Sequence, residues 1–488
     1  MGIVINQTFK NTITTYLGFG IGAISTLFLY TNFLTDDYYG LVAYLLSAAN
    51  ILMPILCFGV QNSIVKFYSS YTNHDEQNAF TGFIFLLPLV IIVPAGLLGA
   101  MFYESIVDYL TTKNEILAPY VWTIFVLGFS MAYFEVFYAW AKVHMKSVYG
   151  NFLKEVFHRV VVAVLLVMVY LKVLSVPAFI YSLMGVYLLR MLLMLVSAFI
   201  IEKPVLKFRL PENYVSVLKY SFLIILTGSI AAVLLDIDKV MLGQFKEIEN
   251  IAYYTVAVFI AIVIAVPARS MHQITYPITS ELLNAKKYKE LDELYKKSSI
   301  NLFIVGGFIF LLIVLNINEM YFLLPEKYRG GVVVVFLISL AKLLDNLIGN
   351  NNAIIFNSDY YRMVLFFGVL LVVLTVILNI IFIPIWGING AAVATFLAFT
   401  LYNGIKLYFV WIKLHLQPFT KNTFRTALLI SISFFIFYFW DFSFLPILNI
   451  ILKSTLIFLF FWGVTYKLRL SEDINLLVAK YFSKKNFK

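Results

Sequence analysis

Hydrophobic residues form long, nearly unbroken runs from one end of this chain to the other. An α-helix needs roughly 20 apolar residues to cross a bilayer, and fourteen runs have about that length. They cover residues 12–34, 39–63, 79–102, 118–141, 150–171, 177–200, 217–239, 251–270, 299–317, 330–356, 362–383, 387–411, 424–440 and 447–466. The pattern predicts an all-α integral membrane protein with about 14 transmembrane helices. A composition of 62% hydrophobic and 13% charged residues excludes an ordinary soluble domain.

The runs fall into two halves that share landmarks in the same order. Tyr39-Gly40 opens the second run much as Ala252-Tyr253 opens the eighth, and Glu135 in the fourth run corresponds to Asp345 in the tenth. These matches predict an internal repeat of two six-helix bundles with a cavity between them. The predicted domains are an N-terminal bundle (1–200), a cytoplasmic linker (201–216), a C-terminal bundle (217–411), and two extra helices with a basic cytoplasmic tail (412–488).

Positive charge collects on one side of the predicted membrane. The segments that share a side with the N-terminus hold 26 of the 36 Lys and Arg residues, whereas Asp and Glu divide evenly. Basic residues concentrate in cytoplasmic loops, so we expect both termini in the cytoplasm. The net charge of +10 is therefore explained by membrane topology, and no nucleic-acid partner is expected.

Some ionisable and amide residues lie within the apolar runs, where they are rare and usually face the protein interior or water. Arg190 lies near the middle of the sixth run. Its guanidinium could form a bidentate pair of hydrogen bonds with a diphosphate, or it could be a structural partner for a carboxylate or for backbone carbonyl groups. The tenth run has a polar face, which predicts either a substrate cavity or hydrogen bonds between helices. Its residues are Lys342, Asp345, Asn346 and Asn350.

Three carboxylates are candidates for ion coupling. Burial of Glu135 would suit it to carry a proton, although a partner such as Arg159 would make it structural. Asp236 and Asp238 end the seventh run. They could form the outward mouth of the cavity or a cation site, or they could simply cap the helix in water.

Four further basic residues lie within the apolar runs or at their ends. Lys66 and Arg269 lie at predicted cytoplasmic ends of helices, where they could attract an anionic lipid diphosphate or serve as ordinary topological anchors. Lys406 and Lys453 lie inside apolar runs, and we expect their ammonium groups to reach the membrane surface by snorkelling.

The sequence lacks the residues that several classes of function require. It contains no GxxxxGK[ST] motif for ATP hydrolysis, and the five His residues show no metal-ligand spacing. The predicted outer loops are also too short for the catalytic site of a membrane polymerase or ligase. We therefore expect neither an enzyme nor a bound metal or cofactor.

The stretch Asn379–Thr395 reads NIIFIPIWGINGAAVAT. Pro384 and Gly387 predict a break between two helices, and Gly390-Ala391-Ala392 allows them to pack closely. The motif resembles the turn between the eleventh and twelfth spans of the polysaccharide biosynthesis exporter family, the O-antigen flippase type. Further matches are Lys10-Asn11, Gly59-Val60 and the Asp236…Lys239…Gly243 exit of the seventh run. That family is grouped with the multidrug-and-toxin extruders and the lipid II flippases.

The resemblance implies a transporter of the bacterial inner membrane with a MATE-like fold. Such a protein would flip a polyprenyl-diphosphate-linked oligosaccharide, of the O-antigen (lipopolysaccharide) or capsule type, from the inner to the outer leaflet by alternating access. A coupling cation, H⁺ or Na⁺, would be a further partner. The alternative is an ion-coupled multidrug or cation extruder of the same fold. Cations at membrane depth, such as Arg190 and Lys342, favour the anionic substrate.

Overall fold

The computed structural model describes residues 2–205, 209–440, 442 and 444–476. All regular structure in these residues is helical. The chain divides into two compact units, Met1–Thr255 and Val256–Lys488. Residues 206–208 of the predicted linker and 477–488 of the predicted basic tail lie outside the described residues.

The first unit contains twelve described helices, several joined by short π or 3₁₀ segments. They are α1 (Gly2–Ile24), α2 (Tyr30–Phe33), α3 (Asp36–Cys57), α4 (Val60–Phe67), α5 (His74–Leu86), α6 (Leu89–Met101), α7 (Tyr103–Thr111), α8 (Val121–Val143), α9 (Ser147–Phe152), α10 (His158–Tyr170), α11 (Val176–Ile201) and α12 (Tyr214–Phe245). The helix α8 packs against α3, α4 and α11, so its side chains dominate the interior of this unit.

The second unit begins within α13 and contains the rest of the helices. They are α13 (Glu249–Ala261), α14 (Val266–Asn284), α15 (Tyr288–Leu315), α16 (Ile317–Phe322), α17 (Val332–Leu347), α18 (Asn351–Asn357), α19 (Arg362–Leu414), α20 (Lys421–Tyr438) and α21 (Pro446–Lys467). Here α17 packs against α15 and α19, and α21 packs against α15, α16 and α20.

Helix covers all fourteen apolar runs of the sequence. In the described residues, ten helical segments are long and apolar enough to cross a membrane. One of the ten is the 53-residue α19, which covers two runs. The protein is therefore an all-helical, multi-pass membrane protein, and the count of fourteen spans stays a prediction.

Polar contacts tie α12 to the first unit. The Ser221 hydroxyl lies 2.7 Å from that of Ser63 on α4. At Gly59, which has a φ of +67°, a Cβ would lie 2.3 Å from the backbone oxygen of Ser221, so only glycine allows this approach. Because these contacts hold α12 against α3 and α4, the compact units divide at Thr255, later in the chain than the predicted linker at 201–216.

The two arms of α19 meet at Gly387, as the Pro-Gly motif predicts. Gly387 has φ 57° and ψ −129°, a non-helical conformation inside the helical stretch. Just beyond it, a Cβ on Gly390 would lie 2.0 Å from the carbonyl oxygen of Phe382. Glycine at both positions therefore lets the chain reverse with its backbone segments in direct contact.

Candidate functional site

Arg190 provides a buried cation in the first unit. It lies on α11 with 7% of its surface exposed. Its guanidinium carbon is 4.5 Å from the centre of the Phe134 ring and 4.6 Å from that of Tyr187. In the part of the chain that the structure describes, its Nε donates no hydrogen bond. Two aromatic faces therefore hold the guanidinium while part of its hydrogen-bonding capacity stays unused.

Glu135 lies on α8 directly after Phe134, whose ring contacts Arg190. Its carboxylate accepts a hydrogen bond from Lys154 Nζ at 2.5 Å. The structural alternative was a partnership with Arg159 or another cation of the bundle. The cation is Lys154, whereas Arg159 pairs with Glu155 at 3.0 Å on its own helical segment. Glu135 and Glu155 thus each have a cationic partner within the first unit.

Asp236 and Asp238 are buried, with 7% and 5% of their surfaces exposed. Asp236 accepts hydrogen bonds from Ser47 at 2.8 Å and from Lys239 at 2.9 Å. Asp238 accepts one from the hydroxyl of Tyr254 at 2.6 Å. The alternative that they cap the helix in water is therefore wrong. Both carboxylates have protein partners, and a cation site here stays a prediction.

In the second unit, Asp345 on α17 lies close enough to Lys406 on α19 and to His272 on α14 for their charges to interact. Lys406 is 1% exposed and donates a hydrogen bond to Asn352 Oδ1 at 2.9 Å. Its ammonium also lies 4.0 Å from the centre of the Tyr402 ring. The expectation that Lys406 snorkels was wrong, because the face of α19 that carries it packs against α17 and α18.

The other predicted residues of the tenth run have different surroundings. Lys342 lies over the ring of Phe399, 4.1 Å from its centre. Asn346 donates to the carbonyl oxygen of Ile264 at 3.0 Å, and Asn350 donates to the hydroxyl of Thr279. The two asparagines thus bond to neighbouring helices, and their contact with substrate stays a prediction.

Lys66 and Arg269 are both exposed. The Lys66 ammonium lies 3.8 Å from the centre of the Tyr220 ring, which fixes its direction. Exposure leaves both side chains accessible to an anionic ligand at the surface of their own units.

The structure therefore forms a charged cluster in each unit, and the first unit also contains the Asp236–Lys239 pair. The first unit groups Arg190 with Tyr187 and Glu135, and the second groups Asp345 with Lys406. Sequence reasoning missed Lys154 and His272 as members of these clusters. Lys154 and Arg159 are five residues apart and would point about 140° away from each other around a regular helix, so only packing decides which of them meets Glu135.

An all-helical membrane protein with ionisable groups in both units has the architecture of a transporter. A family model described as "Polysaccharide biosynthesis protein" matches residues 4–283. This match covers more than half of the chain, and the chain belongs to that family. No curated protein matches it.

Solved structures with the same fold are flippases and transporters. A lipid II flippase, MurJ, in an inward closed conformation has a TM-score of 0.76 at 16% identity, over 94% of this chain and 99% of that chain. An inward-facing multidrug resistance MATE family transporter of the MOP superfamily has a TM-score of 0.64 at 12% identity, over 84% of this chain and 94% of that one. At sequence identities this low, the structural similarity shows a shared fold and nothing more. The expectation of a transporter rather than an enzyme agrees with the family and the fold.

Proposed function

We propose that this protein flips a polyprenyl-diphosphate-linked oligosaccharide from the inner to the outer leaflet of a bacterial inner membrane. The transported glycan would be a repeat unit of the O-antigen or capsule type. Transport would proceed by alternating access, with both termini in the cytoplasm. Membership of a polysaccharide biosynthesis family and a fold shared with a lipid II flippase support a lipid-linked substrate.

The proposal depends most on the surroundings of the buried Arg190 side chain. Taking a guanidinium out of water is unfavourable unless it is matched by charge, hydrogen bonds or aromatic faces. Phe134 and Tyr187 provide two faces, while the Nε stays without a partner among the described residues. A diphosphate oxygen would satisfy this donor with a charge-assisted hydrogen bond.

The second unit offers a complementary set of groups. Lys342 and Lys406 provide positive charge, and Asn350 has a buried Oδ1 without a hydrogen-bond partner in the described residues. Hydroxyl groups of sugars donate to such an oxygen. The proposed substrate-binding residues are therefore Arg190, Lys342, Asp345, Asn346, Asn350, Lys66 and Arg269. The proposed coupling residues for H⁺ or Na⁺ are Glu135, Asp236 and Asp238.

The alternative is an ion-coupled extruder of organic cations, and the buried carboxylates of Asp236 and Asp238 favour it. A competition experiment separates the two functions. Purified full-length protein is incubated with a radiolabelled polyprenyl-diphosphate oligosaccharide, and unlabelled competitors are added. We expect displacement by polyprenyl diphosphate, and neither by the matching polyprenol nor by ethidium. Displacement by ethidium alone, or no binding of the labelled lipid, would contradict the proposal.

A further inference from the structure

The second unit contains a cavity of about 600 Å³ at the ends of four helices. It lies where α15 ends at Leu315, α17 begins at Val332, α20 ends at Tyr438 and α21 begins at Pro446. Most of its wall is apolar and comes from side chains such as Val314, Val332, Val335, Phe336 and Phe434. A cavity of this shape fits a hydrocarbon chain better than a polar solute.

Two opposite charges interrupt the apolar wall. Glu319 on α16 and Lys453 on α21 both line the cavity. Lys453 is 3% exposed, which contradicts the expectation that it snorkels out to the membrane surface. Asn449, one turn before Lys453, donates a hydrogen bond to Glu319 Oε1 at 2.7 Å. The carboxylate therefore lies beside Asn449, whose backbone is one helical turn or about 6 Å along α21 from that of Lys453.

The order of these groups follows the depth of a membrane interface. Tyr438 ends α20 and is followed by Phe439 and Trp440, and the three side chains are 57%, 78% and 47% exposed. Exposed Tyr and Trp side chains gather at the level of lipid head groups. Glu319 lies on the short helix next to this level, and Lys453 is seven residues, or about 10 Å, inside α21. Along α21, Glu319 is thus level with Asn449, on the outer side of the Lys453 backbone.

We propose that this cavity is a binding site for an aminophospholipid of the surrounding bilayer. In such a lipid the ammonium is the outermost group, the phosphate lies beneath it, and the acyl chains lie deepest. Glu319 would accept hydrogen bonds from the ammonium, Lys453 would bind the phosphate, and the valine and phenylalanine wall would hold an acyl chain. The site is separate from the residues proposed to bind the transported lipid, so it goes beyond the proposed function.

Other lipids match the cavity less well. An anionic head group without an ammonium, such as that of phosphatidylglycerol, could also place its phosphate at Lys453, but it would offer Glu319 only neutral hydroxyl groups and no positive charge. A choline head group has a positive charge but no N–H to donate to the carboxylate. A polyprenyl chain alone has no group that could bind to either charge.

Lipid retention by the purified full-length protein tests the site. The protein is reconstituted with equal amounts of phosphatidylethanolamine, phosphatidylcholine and phosphatidylglycerol, extracted gently into detergent, and its bound lipids are quantified by mass spectrometry. We expect phosphatidylethanolamine to be enriched about tenfold over phosphatidylglycerol, as one charge-assisted hydrogen bond would give. Equal retention of the three lipids, or enrichment of phosphatidylglycerol, would overturn the proposal.

Variants locate the binding within the cavity. Glu319→Gln should abolish the preference for phosphatidylethanolamine, and Lys453→Met should lower retention of all three lipids. Val333→Trp places a large side chain at the cavity wall from a position that is 47% exposed, so it should block binding without disturbing the core. Glu326→Gln is the matched control, because Glu326 pairs with Arg329 outside the cavity.

If Lys453→Met fails to fold, Glu319→Gln and Val333→Trp still decide the question. Wild-type retention in both of them would place the lipid elsewhere. Because the readout is bound lipid, failure of this test leaves the transport proposal standing, and loss of transport does not affect it.

Discussion

Replacing Arg190 by Met separates a substrate ligand from a structural cation. Methionine has a similar length but no charge, and it can pack between Phe134 and Tyr187. Each aromatic contact of a desolvated guanidinium is worth about 2 kcal/mol. Removing the buried charge also removes a desolvation penalty of several kcal/mol. The two effects oppose each other, so we expect the stability of Arg190→Met to stay within about 2 kcal/mol of the wild type.

The effect on transport should be much larger if Arg190 binds phosphate. A hydrogen bond to a charged group contributes about 1.5–3 kcal/mol, which corresponds to roughly 10- to 100-fold in affinity. We therefore expect the KM for a polyprenyl-diphosphate oligosaccharide in proteoliposomes to rise by about this factor in Arg190→Met. Arg190→Lys should recover only part of the loss, because an ammonium lacks the planar fork of a guanidinium.

Arg329→Met is the matched control. Arg329 lies 4.5 Å from the centre of the Phe322 ring and pairs with Glu326, so it resembles Arg190 but is more exposed. Its replacement should leave KM unchanged. An unchanged KM in Arg190→Met together with a marked fall in melting temperature would refute phosphate binding and make Arg190 a structural residue.

Three further predictions concern the framework around the two clusters. Asp236→Asn leaves Lys239 without its 2.9 Å partner and should lower the free energy of unfolding by about 3–5 kcal/mol, measured by thermal unfolding. Adding Lys239→Met should restore most of this loss. Equal losses in the single and double variants would show that the pair does not contribute to stability. In Gly387→Ala the alanine must adopt a φ of 57°, which should lower the free energy of unfolding by about 1–3 kcal/mol. In Gly404→Ala the added Cβ would meet nothing within 4 Å, so stability should be unchanged or higher. Equal effects of the two substitutions would show that the backbone conformation at Gly387 is not what requires glycine. Lys406→Met leaves the amide oxygen of Asn352 without its donor and should lower the free energy of unfolding by about 1–3 kcal/mol. An unchanged melting temperature would instead indicate that this lysine lies at the membrane surface.

The sequence predicts the helical architecture well because a bilayer leaves the backbone few alternatives to helix. Helix covers every apolar run, and the break at Gly387 follows from the chemistry of Pro and Gly. Contacts between helices are harder to predict. Lys154 and Arg159 are both near Glu135 in the sequence pattern, and only the rotation of their helical segment brings Lys154 to the carboxylate.

The depth of a lysine side chain is also set by packing. Lys406 and Lys453 occupy apolar runs that look alike in sequence, yet both are buried against neighbouring helices rather than turned to the membrane surface. Asn346 shows the same limit. Its amide fits against Gly306, where a Cβ would lie 2.4 Å from the Nδ2, and this contact depends on the register of α15 and α17.

The most direct test of the account measures flipping itself. Purified protein is reconstituted into liposomes with a fluorescent polyprenyl-diphosphate oligosaccharide in both leaflets, and an enzyme added outside modifies the accessible glycan. The account predicts that the protected fraction disappears faster than in empty liposomes and that Arg190→Met slows this loss. Protection that lasts as long as in empty liposomes, with and without an imposed H⁺ or Na⁺ gradient, would contradict it.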